Sequence, residues 1–429
     1  MTQISDIDEY GFKRSEEEKK FREQNEEYFL KITNSSIAWE KFISSSSLSI
    51  KNNILIRSYT LKNFIRKGVP KHLRKDIWLK TSGCEKQIAQ HPNLYNDLIR
   101  NLSDKEINNT IKIDIPRTFP DNIFFDQYKV PLYNVLSAFA DHNPIVSYCQ
   151  GLNYIAGLLL IVCSGDEKAS FWLLKHFVEN IAPEYHTKTM KGLKRDIEVI
   201  TDLIKMHAPS VNEKMFELSL PWIVIMTKWF ICFFAETLDT ETTLRVWDIM
   251  FAEGYKIIFR ASLAIVLILK DDIMKADDIN DLAELFRNIA KDPRFLNSHS
   301  FINFMLSLKI KRRQLSILRR NHLQIDDSKN ITDEQIKIIA NKSDASARFF
   351  FFNGILDYFS EEDEDESDEE DVPTVIINNG SIVICSNCTV LKSSKNIEIS
   401  TESHNTEKAE VETSTDAFKK GTSGENVEK

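Results

Sequence analysis

Turn-forming residues are scarce in this chain: 12 glycines and 11 prolines are thinly spread over 429 residues. Glycine and proline punctuate backbones, so their scarcity favours long helices over the many turns of a β-rich fold. The apolar share of 42% is that of an ordinary globular protein and supplies a large core. Between Asn52 and Ile289 amphipathic helical pattern is dense, and strand signals are nearly absent before residue 370. Asp239 and Thr240 can cap a helix carrying Leu244, Trp247, Met250 and Phe251 at three- and four-residue spacing, with Gly254 placed to end it. The next helix, Ile257 to Leu269, is apolar on nearly every face and belongs at the centre of a core. The runs Ile155–Cys163 and Ala261–Leu269 fall short of the ~20 apolar residues that span a bilayer, and Pro221–Ala235 is interrupted by Lys228. The expected fold class is all-α.

Composition divides the chain. Residues 1–50 read as a polar leader with one charged helix, Glu16 to Leu30; residues 51–290 hold a single large helical domain; residues 291–360 hold further helices that pack on it; residues 361–429 form an acidic, low-complexity, disordered tail. The tail explains the net charge of −9, because the run Glu361–Asp371 carries ten acids and the rest of the chain alone would carry +1. A near-neutral body argues against nucleic acid as a partner. Within 361–371, Ser367 suits an acid-directed kinase, and the tract could fold over a basic surface. Beyond it, Thr374–Ile377 and Ser381–Ile384 flank Asn378-Asn379-Gly380, a hairpin signal. The Phe349–Phe352 run is expected to dock a last helix. Six basic residues between Lys309 and Arg320 read as a solvated helix face, with contact to anionic lipid or an acidic partner as the other reading. Six cysteines in a chain of this length, and a polar start lacking a signal-peptide pattern, suggest reduced thiols and a cytosolic protein.

Two segments about thirty residues apart carry candidate chemistry: Ile111-Lys112-Ile113-Asp114-Ile115-Pro116-Arg117-Thr118-Phe119-Pro120 and Ser147-Tyr148-Cys149-Gln150-Gly151-Leu152-Asn153. Each prolyl residue disfavours helical backbone in the residue before it, so Ile115 and Phe119 are expected to be extended and Arg117 to sit on a stiffened loop. Asp114, three residues earlier, can hold the guanidinium, an arrangement that equally suits a structural Arg–Asp pair at a surface. Gln150 stands at the entry to an apolar helix, Tyr154–Val162, where an amide also serves as a cap. Phosphoryl transfer to water needs positive charge on the phosphoryl oxygens and a group that orients the water, which an arginine and a glutamine supply. The chain has no glycine-rich phosphate loop, no H-E-x-x-H and no G-x-S-x-G, so it is not expected to bind GTP, a cofactor or a metal of its own. Cys385-x-x-Cys388 lacks a second pair at metal spacing, Cys149 reads as a small buried residue, and a self-contained hydrolase built on Asp141 and His142 lacks a nucleophile.

Taken together these motifs resemble those of the TBC-domain GTPase-activating proteins for Rab GTPases. The resemblance rests on Ile111-x-x-Asp114-x-x-Arg117 and Tyr148-x-Gln150, on Gly68-Val69-Pro70-x-x-x-Arg74-x-x-x-Trp78 before them, and on Leu244-Arg245-Val246-Trp247-Asp248 through Glu253-Gly254 after them. It covers roughly residues 60 to 290. Leu152 departs from the pattern, standing where Met is common, and the tail after residue 360 matches nothing in it. The wording of Tyr10-Gly11-Phe12, Arg117–Asn122 and Lys256–Arg260 looks closest to the growth-hormone-regulated TBC protein group. The resemblance implies a two-lobed helical domain and a dual-finger mechanism in trans on a Rab protein in its GTP form. In it Arg117 neutralises phosphoryl charge, Gln150 orients water, and Asp114, Tyr148 and Ile111 support them. GTP and Mg²⁺ belong to the partner, so the chain is an activator of hydrolysis and not an enzyme by itself. Membrane association is implied only through the Rab, from a cytoplasmic pool recruited to endomembranes to regulate vesicle trafficking. The alternative is a non-catalytic Rab-binding adaptor with the same fold.

Overall fold

The structure, a computed structural model, describes residues 5–45, 59–102, 106–322 and the strand segments Thr374–Asn378 and Ser381–Cys385. The Phe349–Phe352 run, the acidic tract with Ser367, Cys388 and the rest of the expected tail lie outside the described residues. From Glu16 to Asn321 the described elements are helices, broken by short 3₁₀ and π turns. None of the described helices is long and apolar enough to cross a membrane.

The two apolar runs of the sequence that no charge interrupts are internal, as the pattern requires. Every residue of the helix Leu152–Val162 is buried, and Lys256–Ile268 buries Ile257, Ile258 and Phe259 and all of Ala261–Val266. Helices gather around each of them. Lys129–His142 and Glu167–His176 pack on Leu152–Val162, whereas Lys191–His207 packs on Lys256–Ile268, Trp222–Ile231 and Pro209–Glu217, giving the two lobes. The helix Thr240–Glu253 joins them, touching Tyr59–Lys67, Lys71–Ser82 and Lys256–Ile268. Its ends are those expected. The Asp239 side chain accepts from the Thr242 amide, and Gly254, at φ 79°, takes a backbone conformation that residues with a Cβ adopt at a cost.

Two of the sequence motifs meet in a buried charge cluster. Arg74, 1% exposed, donates to both oxygens of Glu241 at 3.0 Å and to Asp248 at 3.3 Å. Trp78 Nε1 donates to Asp248 at 2.7 Å. Burial pushes the Asp248 carboxyl up to about 6, against the opposing pull of Arg74 and Trp78. Gly11–Phe12 and the start of the chain are tied in as well: Tyr10 is 2% exposed and its hydroxyl receives a hydrogen bond from Arg74. The charged helix expected from Glu16 to Leu30 is two helices, Glu16–Gln24 and Glu26–Ser45, parted at Asn25. The second sends Trp39 into the core, where its ring N–H donates to Gly68 O at 2.7 Å.

The basic segment forms the helix Arg312–Asn321, and Lys309, Lys311, Arg313 and Arg320 are exposed, as a solvated face requires. Arg319 departs from that expectation. Its guanidinium lies 4.0 Å from the Tyr255 ring centroid and donates to the fully buried Asp196 at 2.8 and 2.5 Å, joining Arg195 and the Tyr185 hydroxyl on that carboxylate. The strands Thr374–Asn378 and Ser381–Cys385 pair antiparallel as a hairpin, Thr374 with Cys385 and Asn378 with Ser381, so Asn378, expected in the turn, closes the first strand.

Candidate functional site

The helix Glu106–Asp114 ends at Asp114 and runs into a 3₁₀ turn, Ile115–Arg117. This corrects the extended Ile115 expected ahead of Pro116. The Ile115 side chain is buried beside the fully buried Ile111, and that packing holds the turn against the steric preference imposed by proline. Phe119 is not extended either: its φ is 46°. Its ring is held edge-on between Phe12 at 5.1 Å, Phe125 at 5.5 Å and Tyr154 at 5.5 Å. Arg117 therefore projects from a rigid turn, with its side chain 42% exposed.

Asp114 is the hinge of the site. Only 1% exposed, it pairs through one oxygen with the Arg117 guanidinium and accepts the Tyr148 hydroxyl on the other. Burial raises its pKa, while Tyr148 and Arg117 oppose the shift. Burial and the neighbouring Asp114 charge hold the Tyr148 phenol well above its usual range, so it remains a donor. The ion pair holds the Arg117 guanidinium at Nη2, and the Tyr148 hydrogen bond fixes the carboxylate that holds it.

The second segment follows the helix Lys129–His142. Asn143 shapes it by accepting the Ser147 amide on its carbonyl at 2.7 Å and the Val146 amide on its side chain at 3.2 Å, with Ser147 at φ 54°. Tyr148 and Cys149 are buried, and Gln150 is half-buried. Gly151, at φ 105°, caps a helix that begins at Leu152, two residues before the expected start. A Cβ on Gly151 would lie 2.3 Å from Ile231 Cγ2, so the position admits only glycine. Burial pushes the Cys149 thiol up to about 12, consistent with a packing role.

A second tie joins the segments, through residues to which sequence reasoning assigned no role. Thr118 Oγ1 donates to Asp114 O at 2.8 Å, and Asn153 Nδ2 donates to Thr118 Oγ1 at 2.8 Å. Asn153 Oδ1 then accepts the Gly151 amide at 3.0 Å. Asn153 is 0% exposed, and an asparagine in the first turn of an otherwise apolar helix was the available signal. Glu236 was also missed. It lies beyond the sequence segments, accepts from Cys232 Sγ at 3.8 Å and bonds Tyr154. Burial raises its pKa, and the Arg117 charge reaches it and Tyr154. His142 instead packs edge-on to Phe171, ring centroids 5.7 Å apart.

The sequence profile of the Rab-GTPase-TBC domain matches residues 71–274. The growth hormone-regulated TBC protein 1-A of Danio rerio is 37% identical over 303 residues, which cover 69% of this chain and 83% of that protein. The growth hormone-regulated TBC protein 1 of Homo sapiens is 35% identical over 313 residues, covering 71% and 91%. Among solved structures, a Chlamydomonas flagellar RabGAP TBC domain superposes with a TM-score of 0.60 at 28% identity, covering 69% of this chain and 98% of that one. The Ypt/Rab-GAP domain of Gyp1p shares the fold, with a TM-score of 0.54 at 19% identity over 62% of this chain and 96% of that one. With the four motifs in order and two of them joined at Asp114, the chain belongs to the Rab-GTPase-TBC domain family, alongside the growth hormone-regulated TBC proteins.

Proposed function

We propose that this chain stimulates GTP hydrolysis by a Rab-type GTPase, supplying Arg117 and Gln150 in trans. The observation that carries the reading is the buried Asp114 carboxylate, which holds Arg117 on one oxygen and Tyr148, two residues before Gln150, on the other. A guanidinium held by a buried carboxylate on a rigid turn, on a side chain 42% exposed, loses little freedom on entering a partner's site. The partner, in its GTP form, brings the nucleotide and Mg²⁺. Arg117 offsets charge on the phosphoryl oxygens, and Gln150 orients the attacking water in place of the GTPase's own glutamine. Asp114, Tyr148 and Ile111 support the two fingers. An arginine finger accelerates hydrolysis by about 10³–10⁵.

The activity is assigned to residues 51–290, flanked by the described residues 5–45 and 291–322. A cytoplasmic pool recruited to endomembranes by the Rab, and so acting on vesicle trafficking, completes the reading. Single-turnover GTP hydrolysis by a panel of Rab proteins tests it. One or more is accelerated by the wild type, and Arg117→Ala and Gln150→Ala each abolish most of that effect while remaining folded. Acceleration that survives Arg117→Ala contradicts the mechanism; stable binding of a GTP-loaded Rab with no acceleration makes the chain an adaptor.

A further inference from the structure

The start of the chain is built as a clasp on the segment that carries Arg117. Asp8 folds residues 8–12 into a tight loop: its Oδ1 accepts the Tyr10 and Phe12 amides, both at 2.8 Å, and its amide donates to Phe12 O at 2.8 Å. The loop then grips residues 119–124 at several points. Phe12 forms a β-bridge with Asn122, the Ile123 amide donates to Gly11 O at 3.0 Å, and Asn122 Nδ2 donates to Tyr10 O at 3.0 Å. Phe12 sets its ring edge-on to Phe119 at 5.1 Å. Gly11, at φ 94°, lies so close that a Cβ would stand 2.4 Å from Phe124 Cδ2. The other end of the clasp is fixed independently, since the Tyr10 hydroxyl is buried against Arg74 in the charge cluster with Glu241 and Asp248.

Phe119 lies two residues after Arg117 at φ 46°, a conformation that a phenylalanine keeps only when its surroundings enforce it. Phe125 and Tyr154 enforce it from within, and Phe12 closes it from outside. We infer that Phe12 is a positioning residue for Arg117: the loop Asp8–Phe12, anchored by Tyr10, holds the turn after Arg117 in the geometry needed to enter the partner's nucleotide site. This rests on the function proposed above. It assigns to the N-terminal segment a part in catalysis that the matched domain, residues 71–274, does not contain.

Two full-length variants test it. Phe12→Ala removes the outer ring from a half-buried position, and Asp8→Ala unmakes the loop without touching the Arg117 segment. In both, hydrogen exchange of the Ile123 amide accelerates by about tenfold or more. Against a Rab accelerated by the wild type, kcat falls about tenfold while KM for the GTP-bound Rab changes less than about twofold, and Phe12→Leu restores most of kcat. In an Arg117→Ala background, Phe12→Ala causes no further loss. Unchanged exchange at Ile123 in both variants overturns the inference even if no Rab responds, and so does a loss of kcat that adds fully to that of Arg117→Ala. A wild type that accelerates no Rab contradicts the proposed function alone, because the exchange measurement does not depend on it.

Discussion

The Tyr148 hydroxyl reaches across 34 residues of sequence to donate to Asp114, inside the core and directly behind the Arg117 guanidinium. One buried carboxylate thereby registers the Arg117 turn against the segment that carries Gln150.

Tyr148→Phe removes a hydrogen bond to a charged acceptor and leaves one carboxylate oxygen of Asp114 unsatisfied, at a cost of about 1.5–3 kcal/mol in stability. Asp114→Asn keeps a partner for the phenol but releases Arg117, so it lowers GTPase activation more than stability. Urea denaturation beside single-turnover hydrolysis separates the two variants. Equal effects on stability and activity in both would contradict the division of roles.

Asn153→Ala deletes the link from Thr118 to the Gly151 amide. The buried Gly151 amide loses its side-chain acceptor, and Thr118 Oγ1 loses a donor while keeping its bond to Asp114 O, so about 1–3 kcal/mol of stability goes. Urea midpoints measure the loss; a cost below about 0.5 kcal/mol would mean that water replaces the amide.

Glycines at positive φ separate into costly and cheap positions. Gly151→Ala forces a Cβ to 2.3 Å from Ile231 at φ 105°, whereas Gly83, at φ 79°, has nothing within 4 Å of a built Cβ. The first substitution destabilises by about 3 kcal/mol or more, combining overpacking with backbone strain. The second costs about 1 kcal/mol from backbone conformation alone. Thermal melts of the pair check the difference.

How legible these features were in the sequence depended on whether the cause was local. The helix Thr240–Glu253 was readable because Asp239 and Gly254 act on their own turn of backbone, and the hairpin because Asn378-Asn379-Gly380 is a local turn signal. Arg117 and Gln150 stood out by residue type and motif. Ile115 and Phe119 were misread because proline sterics is a local rule, and burial of Ile115 and the aromatic cage around Phe119 are tertiary. Glu236 could not be found at all, since only the fold brings it within reach of Arg117. Nor does Tyr10-Gly11-Phe12 announce a docked loop: two aromatic residues in a polar stretch have no periodicity to read.

His186 makes stability depend on pH. Its ring is 1% exposed, Nε2 donates to Ile231 O at 3.0 Å in the neutral tautomer, and Nδ1 has no hydrogen-bond partner. Burial lowers its pKa from 6.5 to about 4. Between those values the unfolded chain binds a proton that the native ring excludes, so stability falls as pH drops from 6.5 towards 4, by up to about 1.4 kcal/mol per pH unit. Asp239 and Asp248, raised by burial to about 7 and about 6, work in the opposite sense. They do so in wild type and variant alike, so His186→Leu isolates the imidazole. Its urea midpoint declines less steeply from pH 6.5 to 5 than that of the wild type; parallel curves would contradict a neutral buried ring.

The central claim is that Gln150 replaces the GTPase's own water-orienting glutamine while Arg117 supplies the charge. The most direct measurement is single-turnover hydrolysis by a responsive Rab whose own catalytic glutamine has been changed to alanine. The account predicts that the wild-type chain still accelerates this Rab to within about tenfold of its unmodified form, and that Gln150→Ala removes the acceleration. Loss of acceleration on changing the Rab glutamine, with Gln150→Ala remaining active on the unmodified Rab, would contradict it.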